Sequence, residues 1–231
     1  MKHTKSKSKV KKRKSLNNYM FIFYGPAGSG KSTQAKLITE KFGANLIIMG
    51  DLLRQIAKKP TPFGKKIKKI IEAGVLIDDL AAIEIIGGHL NSLTNKSKLI
   101  IDGFPRSIAQ ARRLDEFLKL YDYKNKLIFL HIKLTMSVII KRLSSRRVCE
   151  KCGKISSVKK SETVICKKCG VPMVRRFDET PQAIRERLQI YQDQSRLLSR
   201  YYKNRILEIN GNSDIKSIFN KIISGLGKEL R

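Results

Sequence analysis

The chain has 231 residues, 41% of them hydrophobic, with 49 Lys and Arg against 19 Asp and Glu and a formal net charge of +30. This is enough for the core of one α/β domain with insertions, or of two small domains. Its apolar runs all stop short of the roughly 20 residues a membrane span needs, so a soluble globule is expected and a transmembrane protein is not.

Residues 1–15, MKHTKSKSKVKKRKS, hold eight of the cations and no acid, leaving +22 for the rest. Val10 is the one apolar residue between Met1 and Leu16, so the segment lacks both a secretory apolar stretch and the amphipathic pattern of a transit peptide. A disordered basic tail over 1–17 is expected, and a cytoplasmic setting with it. Neutralising phosphates releases counterions, so weak nucleic-acid or ribosome contact is one reading of the tail; a solvated segment without a partner is the other.

Next, NYMFIFY has the β-branched and aromatic content of a strand, and TQAKLITEKF places Ala35, Ile38 and Phe42 at helical spacing. Between them stands YGPAGSGKST, residues 24–33, of the form G-x-x-x-x-G-K-[ST]. Its glycines let consecutive backbone N–H groups curl around an anion, and the positive end of the following helix faces the same point. Lys31 then reaches the β- and γ-phosphates, and Ser32 or Thr33 offers magnesium a hydroxyl. A glycine-rich turn without a ligand is the bland alternative, which the flanking strand and helix disfavour.

ANLIIM (44–49) reads as a short buried strand, GDLLRQIAKK as a helix and KPTPFG as a turn. FGKKIKKIIEAG is amphipathic, with Ile67, Ile70 and Ile71 inward, and Asp78 to Leu90 is a further helix. SKLIIDGFPR is a strand ending in a loop, with Asp102 at its carboxyl end, where a carboxylate holds magnesium through water; a capping aspartate is the alternative. IAQARRLDEFLKLY, MSVIIKRLSSR, TPQAIRERLQIYQDQSRLLSRYY and DIKSIFNKIISGLGKEL read as helices, and LIFLHIKL and RILEING as strands. The alternation predicts an α/β fold with a mainly parallel sheet, helices on both faces and ligands at the carboxyl ends of the strands. Two pieces interrupt it, a helical insert at 51–82 and a segment of loop or β-ribbon composition at 148–178.

That second segment carries C149-E-K-C152 and C166-K-K-C169, with thirteen residues between the pairs. Two such hooks aim four thiolates at one point and indicate a tetrahedral structural zinc site; a pair of disulfides is the rival reading.

The motifs G-P-A-G-S-G-K-S-T-Q, G-D-L-L-R, D-G-F-P-R-S-I-A-Q, R-L-S-S-R-R-V and F-D-E-T followed by R-E-R-L stand in that order along the chain. Through them the chain resembles the adenylate kinases, of the nucleoside monophosphate kinase class, with a zinc-bearing lid, over about residues 20–227. The resemblance implies a three-layer P-loop NTPase core (18–50, 83–147 and 179–231), a monophosphate-binding helical arm (51–82) and a zinc-stapled lid (148–178). It implies ATP contacts from Gly28, Ser29, Gly30, Lys31, Ser32, Thr33, Arg142, Arg146 and Ser213, with Arg142 stacked on the adenine. It implies AMP contacts from Met49, Arg54, Val75, Leu76, Ile77, Gly103, Arg106, Gln110, Arg176 and Arg187. Lys31, Asp102, Arg146, Arg176 and Arg187 would serve the transferring phosphoryl group, Mg²⁺ would arrive with ATP, and Cys149, Cys152, Cys166 and Cys169 would hold Zn²⁺. A monomer converting ATP and AMP to two ADP, for adenine nucleotide homeostasis, is what it leads one to expect.

One position departs from the pattern. The family usually places Thr or Ser before Gly-Asp, where this chain has Met49, and pyrimidine monophosphate kinases lack that hydroxyl too. Gln110 is the residue of the AMP-specific members, since an amide pairs bidentately with an adenine edge. A CMP, UMP or broad-range kinase therefore stands as the alternative. An RNA-binding zinc-ribbon protein with a vestigial kinase site is more remote, because aromatic residues, the platforms for stacking bases, make up only 7%.

Overall fold

The computed structural model describes residues 19–93, 98–119, 127–158 and 163–229. The basic tail expected over 1–17 lies outside them. Five strands form one wholly parallel sheet in the order β2-β3-β1-β4-β7: β1 (Tyr19–Tyr24), β2 (Asn45–Ile48), β3 (Lys98–Asp102), β4 (Leu127–Lys133) and β7 (Ile206–Asn210). The central strands read as continuous apolar runs because both of their faces are covered. Phe21, Phe23, Ile100, Ile128 and Leu130 pack with Ala35 and Ile38 of α1 (Lys31–Phe42) and with Ile218 and Ile222 of α8 (Ile215–Glu229). Met20, Ile22, Leu99, Ile101 and Phe129 face the opposite way, onto α4 (Asp79–Asn91), α5 (Ile108–Lys119) and α7 (Pro181–Tyr201). The alternation along β1 thus splits one strand between two cores, giving the expected three layers.

Between β2 and β3 the chain folds as α2 (Met49–Ala57), α3 (Pro62–Ala73) and α4. The strand expected to run through Met49 stops at Ile48, and the turn expected to extend to Gly64 ends sooner. Thr61 caps α3, its hydroxyl accepting from Gly64 N at 3.0 Å, and Pro62 takes the first helical position, where its missing N–H is no loss.

The helix α6 (Met136–Ser145) also ends earlier than its composition suggests. Arg146–Val148 is strand β5, paired antiparallel with β6 (Ile155–Ser157), and bridges Val148–Val174 and Ile165–Pro172 complete a small ribbon. Among the described residues no helix is long and apolar enough to cross a membrane.

Candidate active site

The carboxyl ends of β1 and β3 meet, with Phe23 opposite Asp102, beside the point where the chain switches from one half of the sheet to the other. Such a point is where open parallel sheets bind ligands. The loop leaving β1 turns at Gly25, where a φ of +147° and a Cβ only 2.5 Å from Ile132 O would exclude any side chain. From there the backbone curls to Gly30 and into α1. Lys31 Nζ donates to Pro26 O at 2.9 Å and lies 3.5 Å from Ser29 Oγ, folded into the loop it serves. Burial pulls its ammonium down to about 8, against the opposing charge of Asp102. Ser32 Oγ donates to Asp102 Oδ2, while Asp102 Oδ1 is buried without a partner. Burial pushes the Asp102 carboxyl up, with Lys31, Ser32 and Arg106 holding it back.

A cavity of about 480 Å³ opens above the loop. Gly28–Thr33, Asp102, Gly103 and Ser213 line it, as do Arg54, Arg106, Arg142, Arg146, Arg176 and Arg187. Arg142 is fixed through carbonyls, Nη2 donating to Gly211 O at 3.0 Å and Ser213 O at 3.1 Å. Arg106 Nε donates to Gly103 O at 3.0 Å. Burial, with neighbouring guanidiniums, draws Arg106 and Arg176 down to about 10, so both stay charged at neutral pH. An adjoining cleft is lined by Met49, Val75, Leu76, Ile77 and Gln110 together with Gly103, Arg54, Arg106 and Arg187. Gln110 is buried and its amide is oriented: Oε1 accepts from Arg106 N at 2.9 Å and Nε2 donates to Ile77 O at 3.3 Å. Two adjoining spaces joined by arginines, one with a phosphate loop and one with an oriented amide, suit a pair of nucleotides placed phosphate to phosphate.

The sequence profile of one known family, described as Adenylate kinase, matches residues 23–207. The chain belongs to that family. An adenylate kinase of Clostridium tetani is 38% identical over 212 residues, 89% of this chain and 97% of its own. Those of Borrelia turicatae, 37% identical over 90% of this chain and 98% of theirs, and Archaeoglobus fulgidus, 34% over 90% and 97%, are also similar. As an adenylate kinase family member the chain is an enzyme, a phosphotransferase of the nucleoside monophosphate kinase class.

Several residues that line or brace the cavity carried no role in the sequence reading. Ile155, Ser156 and Ser157 reach it from β6, and Tyr24 and Tyr191 from β1 and α7. Asp178 and Glu179 pair with its arginines. A signal for these two existed: they are adjacent acids beside Arg176 in a chain where cations outnumber acids 49 to 19.

The family's lid carries the cysteines. All four Sγ atoms lie within 4.8 Å of one another, none is in a disulfide, and Cys152 Sγ to Cys166 Sγ is 3.7 Å. A tetrahedron of sulfurs about 2.3 Å from zinc has edges of about 3.8 Å, so the set fits a closed four-thiolate site. The two hooks fold alike. Gly153 N donates to Cys149 O and Gly170 N to Cys166 O, each at 2.8 Å, and both glycines take positive φ (+70° and +68°) to close the knuckle. A closed set leaves no position for substrate, so such a metal staples the lid and does no chemistry.

Proposed function

We propose that the chain transfers the γ-phosphoryl group of Mg-ATP to AMP, yielding two ADP. The observation that carries the choice of acceptor is the oriented amide of Gln110. With one lone pair and one N–H committed to backbone, Gln110 offers a second acceptor and a second donor in fixed places. That pattern meets a base with an amino donor beside a ring-nitrogen acceptor, as on adenine and cytosine, and opposes the keto and N–H edge of uracil and guanine.

In this reading the phosphate loop and Lys31 hold the ATP phosphates, and Arg142 lies against its base. Arg54 and Arg106 receive the acceptor's phosphate. Arg146, Arg176 and Arg187 face the transferring group, where planar forks neutralise its equatorial oxygens without losing charge. Magnesium comes with ATP, and Ser32 and Asp102, with its unpartnered buried oxygen, are the oxygen donors placed to hold it between the phosphates. The catalytic gain is positional and electrostatic, since phosphoryl transfer asks little covalent work of the protein. Zinc in the lid is part of the same proposal.

Met49 favours a second reading, a cytidylate or broad-range kinase, because its buried thioether offers the base no hydroxyl. A lost neutral hydrogen bond costs about 0.5–1.5 kcal/mol, so the acceptor's affinity falls by no more than about tenfold. Initial rates with AMP, CMP, UMP and GMP in a coupled ADP assay decide between the readings. AMP is expected to give the highest kcat/KM; Met49→Thr should lower its KM, and Gln110→Ala should raise it and erode the preference over CMP. A higher kcat/KM for CMP or UMP overturns the AMP assignment.

A further inference from the structure

Arg54, Arg146, Arg176 and Arg187 line one cavity, where like charges repel, and two adjacent buried carboxylates divide them into pairs. Asp178 Oδ2 accepts from Arg54 Nη1 at 3.1 Å and from Arg187 Nη2 at 3.0 Å, tying α2 to α7 across 124 residues of sequence. Glu179 grips Arg146 with both oxygens, Nε donating to Oε2 at 3.1 Å and Nη2 to Oε1, and stands 3.7 Å from Arg176 Nη1.

The two holds differ in kind. Asp178 makes a single bond to each guanidinium, and its Oδ1 is buried without a partner. Burial raises its carboxyl, but Arg54, Arg187 and Arg176 together bring it below the usual carboxylate range, so it is ionised. The Arg146–Glu179 pair is a two-pronged fork, the stronger and more directional arrangement. A phosphate, with three oxygens and greater charge, can take over guanidiniums held by one bond each. It can add to Arg146 only at the edge that Glu179 leaves free.

We propose that Asp178 and Glu179 are positioning residues of the transfer, each for a different substrate. Asp178 sets the spacing of Arg54 and Arg187 and yields them to the acceptor's phosphate; Glu179 stays bound and aims Arg146 and Arg176 at the transferring group. The proposal rests on the arginine roles given under Proposed function. It matters to rate because a misplacement of about 1 Å costs roughly 10²-fold.

Asp178→Asn and Glu179→Gln keep shape and remove charge. With whichever monophosphate the wild-type protein prefers, Asp178→Asn is expected to raise the acceptor KM about tenfold and leave the ATP KM within about twofold. Glu179→Gln is expected to lower kcat about 10²-fold with the acceptor KM within about twofold, and Glu179→Asp to recover part of it. Calorimetric titration of each variant with that monophosphate gives affinity directly, so folded but slow variants remain informative. Equal losses in every constant of both variants, tracking a lowered Tm, would reduce the two acids to scaffold and overturn the proposal, as would two unchanged variants. Failure of the AMP reading is seen separately, in the wild-type acceptor panel.

Discussion

Lys31 carries the largest expectation at the scale of single residues. Its ammonium is the one lysine charge in the phosphate loop, so Lys31→Ala is expected to lower turnover by about 10²-fold or more. The midpoint of thermal unfolding should move little, since the side chain's contacts are within its own loop. His131 gives a prediction of another kind. It is 2% exposed on β4, with Nε2 2.9 Å from Tyr191 Oη and Nδ1 3.2 Å from Ser199 Oγ. Burial, helped by the charge of Lys133, draws its imidazole down to about 4. The unfolded chain protonates this ring near pH 6.5 and the folded chain only near 4, so the group costs nothing above about pH 6.5 and progressively more below it. By pH 4 the loss reaches about 3 kcal/mol. Denaturant midpoints between pH 7 and pH 4.5 should therefore fall less steeply for His131→Gln than for the wild type; identical slopes would contradict the assignment. Residues whose chemistry fixes a spacing, such as Gly25 through Ser32, were legible in the sequence. The carboxylates that brace Arg54 and Arg146 were not, because tertiary folding alone brings Arg54 to Asp178.

Among the elements, the lid depends most on something other than packing. Its buried apolar cluster is little more than Cys149, Cys166 and Met173, too small to hold two knuckles together alone. Purified protein is expected to carry one zinc per chain by metal analysis. Cys166→Ala should raise amide hydrogen exchange in 163–174 and 146–158 while the β1, β3 and β4 amides stay protected. Protein purified without thiol oxidation that holds no metal would refute the zinc site. The hooks were readable because ligand spacing is local, whereas the strand character of Arg146–Val148 was hidden behind a helical pattern. Pairing of Arg146 with Ser157 decides it, and hairpin pairing leaves no mark in one strand alone. At α3 the sequence did contain the answer: Thr61 and Pro62 are a cap and a first helical residue as well as turn formers, and Ile67 and Ile71, both buried, settle the choice.

For the whole molecule, alternating strand and helix implied a parallel sheet, but the order β2-β3-β1-β4-β7 was beyond the sequence. Crossovers of similar length can step outward or back over the sheet, and the packing of α1 and α8 on one face against α4, α5 and α7 on the other selects between them. With every strand pointing the same way, the sheet has two unlike rims. Phe23 and Asp102 stand at the rim that bears the cavity, and Tyr19 and Lys98 stand at the other. The six residues of β1 separate the two rims by about 20 Å. Anything attached ahead of Tyr19, whether an affinity bead, an electrode or a polymer, is joined to the far side from where substrates enter. The enzyme anchored by its amino end should thus keep its KM values for both nucleotides, while anchoring through a cysteine introduced at Ser156 should raise them, and steady-state kinetics on the two supports would tell an outward-facing cavity from an obstructed one.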